Sequence, residues 1–341
     1  MRLLKTVQTE ELADPVRAKF AMVVPILEAT LFSMNRKRAE RLGGYEKMTL
    51  WDVAREGREG SGDAGICFEW AVHDAIASQH PLIHPLASEV LQDFCGIGGG
   101  SSSILFGPEK DGVIPILESV DESLTEDSRV YVGNRGQPPK LKRYIPQIVR
   151  AFRRAEARNK LPRSINGLWK ADLFVGNKES EKWVGTTVKS NALHLEGAQG
   201  LRIGIYPRVT PNESPRFDDD LKLVRLPLPY DGGFMELFYK SFYLVRAFIA
   251  ADARVPPPVS LPDGEDRFIT QELEARREFA VLDVLNVLRD MSQKDLLDVE
   301  DVHSVAPSAT LSEDEGLQDE PEDPGAEADF VSVTPEASTT E

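Results

Sequence analysis

"GLWKADLFVGNKESEKWVGTTVKSN", Gly167 to Asn191, holds two apolar runs separated by a short charged turn. Valine, threonine, phenylalanine and tryptophan suit a pleated, half-buried surface, so the stretch predicts two strands joined as a hairpin, the first over Leu168 to Val175. Each strand carries a charge, Asp172 and Lys189, where Val or Ile would cost nothing. Side chains alternate between the faces of a strand. Lys170, Asp172 and Phe174 therefore share one face of the first strand, and Trp183, Gly185, Thr187 and Lys189 share one face of the second. Paired antiparallel, the two strands bring Asp172 and Lys189 near each other on one face. Burying a carboxylate and an ammonium is expensive unless each has a partner or a metal takes part. A cross-strand ion pair is the simplest account of the two.

Around this pair the sequence predicts an α/β chain. "DPVRAKFAMVVPILEATLFSMNRKRAERL" reads as a helix with a kink at Pro25 and a basic end of Arg36, Lys37, Arg38 and Arg41. A glycine-rich loop follows, then helices from about Gly65 to Ser78 and Leu86 to Phe94. "SILFG" and "RVYVG" are candidate strands, and Pro138 to Arg163 reads as one basic helix. After the hairpin come strands in "GLRIGIYPR" and "LKLVRLPLP", a helix from about Gly233 to Ala250, the linker "VPPPVSLPDGEDR", and a last helix from Thr270 to about Met291. The segments divide as an N-terminal helical region (1–60), an α/β core (61–252), a Pro-rich linker (253–268), a C-terminal helix (269–294) and a tail (295–341).

A third residue changes the reading of the hairpin. In "AGICFEWAVHDAIAS" the positions three and four from Glu69 are Gly65, Ile66, Val72 and His73, with Ile76 a turn further on. Glu69 thus sits on a largely apolar stripe, where a solvated acid is not expected. Facing inward, its carboxylate needs a hydrogen-bonding partner such as His73, or a cation.

An acid on an early helix, an acid on a central strand and an apolar-x-Lys closing the next strand resemble the core of the PD-(D/E)xK nuclease superfamily, the restriction-endonuclease-like fold. The matching residues are Glu69 in "ICFEWAV", Asp172 in "WKADLFVG" and Lys189 in "GTTVKSN", with "GLRIGIYPR" as the next core strand. The resemblance covers about Ser61 to Arg208 and implies a mixed central sheet flanked by helices, to which this chain adds N- and C-terminal helices and a disordered acidic tail. It departs from the family pattern at Ala171, in place of the proline, and at Thr187, in place of the second strand acid. Either Glu69 supplies the missing carboxylate from its helix or the site is inactive.

The resemblance implies metal-dependent hydrolysis of DNA phosphodiesters, with defence against foreign DNA as a role. Such chemistry needs a cation to neutralise charge developing on the phosphate oxygens and to acidify a bound water. Mg2+, or Mn2+, suits one or two carboxylates and keeps water and phosphate ligands. Glu69, Asp172 and the Val188 carbonyl are the candidate ligands. Lys189 is the candidate for positioning water, and for acting as base if desolvation lowers its pKa. Glu196 or Gln199 is placed to orient water.

Between Lys140 and Arg163 nine basic residues face one acid, Glu156. Ile145, Ile148, Val149 and Phe152 form one helical stripe, and Arg150, Arg153, Arg154 and Arg158 fall on the other side. With Lys142 and Arg143 these make a candidate phosphate-tracking surface for DNA, set against the plainer reading of a solvated helix face. "GIGGGSSS" lacks the Gly-Lys-Ser/Thr ending of a phosphate loop and reads as a turn. His80 and His84 are spoiled as a helical zinc pair by Pro81 and Pro85. His194 has no assigned role.

The 341 residues, 41% hydrophobic and 28% charged, are ordinary for a globular chain. The net charge of −16 is concentrated: Asp295 to Glu341 holds 15 of the 56 acids and none of the 40 bases, leaving a nearly neutral body. That tail, rich in Pro, Ser and Thr, is expected to be disordered, and either solubilises, competes with nucleic acid, or docks a protein partner through "ADFVSV". The N-terminus is not a signal peptide, and "FMELFYKSFYLVRAFIAA" is interrupted by Glu236, Lys240 and Arg246, so no membrane span is expected. Two cysteines fit a reducing cytoplasm. An inactive nuclease-like subunit that binds nucleic acid or a partner is the alternative function.

Overall fold

The hairpin forms the centre of a seven-stranded mixed sheet in the computed structural model, which describes residues 12–34, 36–57, 64–111, 119–133, 136–230 and 233–293. The acidic segment 295–341, expected from its composition to be disordered, lies outside the described residues. Five helices, α1 (Asp14–Ser33), α2 (Arg36–Arg41), α3 (Leu50–Glu56), α4 (Ala64–Ala77) and α5 (Ile83–Cys95), precede β1 (Ser102–Leu105). Then come α6 (Gly107–Asp111), α7 (Val120–Ser123), β2 (Arg129–Val130), α8 (Leu141–Arg153) and α9 (Ala155–Arg158). The remaining strands are β3 (Leu173–Asn177), β4 (Lys182–Val188), β5 (Leu201–Pro207), β6 (Arg216–Asp218) and β7 (Leu223–Leu228). The chain continues through α10 (Phe234–Ala250), α11 (Gly264–Ala275) and α12 (Val281–Met291).

The strand order is β1-β3-β4-β5-β7-β6, with β2 beside the start of β4. β3 pairs antiparallel to β1 and β4, while β4, β5 and β7 run parallel. All five β3 residues are buried, as expected of a strand covered on both faces. Its alternate side chains divide between two cores. Leu173 and Val175 join Val184, Val188, Ile203 and Ile205 against α1, α4, α5, α10, α11 and α12. Phe174 joins Trp183, Ile104 and Phe106 against Leu141, Ile145 and Ile148 of α8. Gly176 is required by the hairpin itself, since a Cβ there would lie 2.1 Å from the Lys182 carbonyl oxygen.

Four expectations change. The first hairpin strand starts at Leu173 and not at Leu168: Arg163–Lys170 is a 3-10 helix, locked by the Gly167 N–H donating to the Gln199 carbonyl at 2.6 Å. Helix α1 runs unbroken through Pro25 and stops at Ser33, and the basic cluster forms the separate α2. The basic helix ends at Arg153, where Arg154 turns extended before α9. The last helix is two. The Trp51 N–H donates to the Arg277 carbonyl at 2.9 Å and the Val281 N–H to the Met48 carbonyl at 2.7 Å, which pulls residues 277–281 out of helical geometry. No helix among the described residues is long and apolar enough to cross a membrane.

Candidate functional site

Asp172 and Lys189 sit one residue outside the hairpin strands, Asp172 before β3 and Lys189 after β4. The Asp172 N–H donates to the Thr186 carbonyl and its own carbonyl accepts the Phe106 N–H, both at 2.9 Å. The backbone is thus fixed on both sides, and the side chain enters the cluster from a rigid element. Asp172 Oδ2 accepts three hydrogen bonds: from Thr187 Oγ1 at 2.9 Å, from the Val188 N–H at 2.9 Å and from Lys189 Nζ at 3.0 Å. Lys189 Nζ also lies 3.7 Å from Glu69 Oε1, so the ammonium stands between carboxylates delivered by a helix and a strand.

Helix α4 carries Glu69 there because its apolar faces bury Cys67, Phe68, Trp70, Ala71, Val72 and Ile76. One turn on, His73 Nδ1 is 3.0 Å from Ser103 Oγ of β1 and ties α4 along that strand. The three residues picked from the sequence therefore converge.

Lys110 was missed. It lies in α6, directly after β1, 6% exposed, with Nζ 5.2 and 5.1 Å from the Phe106 and Phe152 ring centroids and 3.8 Å from Asp172 Oδ1. Its partner is 62 residues away, and no local spacing announces it. Two ammonium groups thus face two carboxylates.

Burial by itself would pull the Lys189 ammonium down, but the charges of Asp172 and Glu69 outweigh it and hold the pKa above the ordinary lysine value. The sequence expectation that desolvation readies Lys189 as a base is corrected: it stays protonated at neutral pH and acts as a donor.

The other candidates separate. Glu196 is exposed and paired with Lys170 at 2.7 Å; that hydrogen bond first, and then the Lys170 charge, hold its carboxyl below the usual range. Gln199 lines a cavity at the start of β5, away from Asp172. Val188 offers the site its N–H. His194 is exposed. His84 Nε2 lies 3.1 Å from the Ser101 carbonyl and Asn177 Nδ2 donates to the Gly100 carbonyl at 2.9 Å, so "GIGGGSSS" is a pinned turn.

The basic surface also divides. Lys142 donates to the Asp121 and Leu124 carbonyls, Arg153 to those of Lys110 and Glu109, and Arg158 to that of Ala151 while lying 3.8 Å from the Trp169 ring centroid. These three serve the fold. Arg143, Arg150 and Arg154 are exposed and form no ion pair among the described residues.

For a divalent cation the relevant donors are Glu69 and Asp172. No group of three or more His, Cys, Asp or Glu converges among the described residues. Magnesium does not require one, because it takes one or two carboxylates and keeps several waters. The Lys189 ammonium stands between the two carboxylates, which are the donors a small hard cation would take there. Comparison with protein-family models, curated proteins and solved structures finds no match to this chain.

Proposed function

We propose that this chain is a divalent-cation-dependent nuclease of the PD-(D/E)xK type, hydrolysing DNA phosphodiesters at Glu69, Asp172 and Lys189. The observation that carries the reading is Lys189 Nζ held 3.0 Å from Asp172 and 3.7 Å from Glu69 at the open end of a buried hairpin. Mg2+ or Mn2+ held by the two carboxylates would supply charge neutralisation at phosphate and acidify a water.

The chain's own residues do the rest. Lys189, one third exposed, donates to the attacking water or to a phosphate oxygen. Thr187 and the Val188 N–H keep the Asp172 carboxylate in one orientation, and Lys110 holds its other oxygen. Arg143, Arg150 and Arg154 supply salt-sensitive contacts to the backbone of DNA.

A second reading is favoured by the hydroxyl of Thr187 and the second ammonium of Lys110: the cluster is balanced without a cation, and the protein binds DNA or a partner without cutting. Incubation of plasmid, linear duplex and single-stranded DNA with Mg2+ and with Mn2+ separates the two. The nuclease reading expects cleavage by the wild type and a loss of about 10²-fold or more in Lys189→Met. Binding without cleavage in either cation establishes the second reading, and undiminished cutting by Lys189→Met removes Lys189 from the chemistry.

A further inference from the structure

A cavity of about 500 Å³ opens at the end of β5 opposite Lys189, lined by Arg163, Ser164, Arg202, Phe217 and Lys222 and by Gly197 to Gly200. A second cavity of about 450 Å³ continues from it through Val132, Gly133, Ser164 and Arg202 and adds Phe94 and Tyr131. Gly185 pairs with Leu201 at the cavity, and Lys189 lies four residues further along the chain, about 13 Å away in the strand direction.

The lining is one-sided in charge. Among the described residues three cations and no Asp or Glu face the two cavities. Lys222 is held by Asp219 at 3.5 Å, outside the lining. The Arg202 side chain makes no hydrogen bond or ion pair among the described residues, and its guanidinium lies 5.9 Å from the ring centroid of Phe217, which is 41% exposed. Gly133, at φ +76°, leaves it room: a Cβ there would meet Arg202 Nη1 at 2.6 Å. A guanidinium kept at the junction of two cavities with no counter-charge among the described residues is suited to receive an anion. Beside it, an exposed aromatic ring offers a stacking face, and the volume is that of a small-molecule site.

We propose that this cavity binds a nucleoside phosphate, with Arg202 and Arg163 on the phosphate and the base against Phe217. The site stands apart from the Asp172 cluster.

Calorimetric titration of the full chain at low salt with AMP, inorganic phosphate and a 5′-phosphorylated tetranucleotide tests this. Arg202→Met is expected to weaken binding at least tenfold. Phe217→Ser, an exposed position on the edge strand β6, is expected to weaken the nucleoside ligands while leaving inorganic phosphate unchanged; should Arg202→Met fail to fold, that contrast decides alone. Arg202-dependent binding of AMP identifies a free nucleotide, and of the tetranucleotide alone, a strand. Failure of both to bind, binding that both variants leave unchanged, or phosphate bound as tightly as AMP, overturns the proposal.

Discussion

Thr187 Oγ1 donates to Asp172 Oδ2 at 2.9 Å, from the position where the proposed PD-(D/E)xK reading would place a second acid. Thr187→Val therefore costs about 1 kcal/mol, the worth of one hydrogen bond. Thr187→Asp sets two carboxylates against each other and makes the fold depend on a cation. Its melting temperature in chelator is expected below wild type, with a larger rise on adding Mn2+. Equal rises in the two proteins contradict a cation site at this position.

Lys110 is buried between two phenylalanine rings against Asp172 Oδ1. Lys110→Met keeps the bulk and removes one of the two ammonium groups, at an expected cost of about 2 kcal/mol. In Asp172→Asn the same change should cost less, since the charge it balances is gone. A double-mutant cycle by urea unfolding reads the coupling, and additive losses would show that Lys110 and Asp172 do not interact.

His80 Nδ1 accepts the N–H groups of Leu82 and Ile83 at the start of α5, and burial lowers its pKa to about 4. The unfolded chain binds this proton near pH 6.5 and the folded protein only near 4. Its contribution is therefore complete above pH 6.5 and lost as pH falls towards 4, about 3 kcal/mol in all. His80→Asn keeps an acceptor for the two N–H groups without titrating. The stability gap between wild type and variant should narrow by that amount from pH 7 to 4, and a constant gap would refute the assignment.

Arg143, Arg150 and Arg154 changed together to Gln should leave unfolding unaltered and lower the slope of log affinity for DNA against log salt by about 3. Arg153→Gln, which loses carbonyls of Lys110 and Glu109, should instead lower stability. The reverse pattern would move the DNA surface elsewhere.

Alternation along the hairpin and helical spacing made Asp172, Lys189 and Glu69 legible, although Asp172 and Lys189 lie one residue beyond the ends of their strands. Lys110 was not legible, because its place follows from β1 lying beside β3. The break between α11 and α12 was hidden for the same reason: "ARREFAV" is helical in composition, and the hydrogen bonds that interrupt it come from residues 48–51. The early strand start failed where Gly167 binds the carbonyl of Gln199, a contact across 32 residues that strand alternation does not encode. Desolvation alone argued for a lowered Lys189 pKa; two carboxylates around one ammonium reverse it.

The most direct measurement counts Mn2+ ions bound by the full chain, by electron paramagnetic resonance at low protein concentration. One ion in the wild type, absent from Asp172→Asn and weakened in Glu69→Gln, is the predicted result. An empty wild type, or an ion that survives Asp172→Asn unchanged, would contradict the claim that these two carboxylates hold a cation.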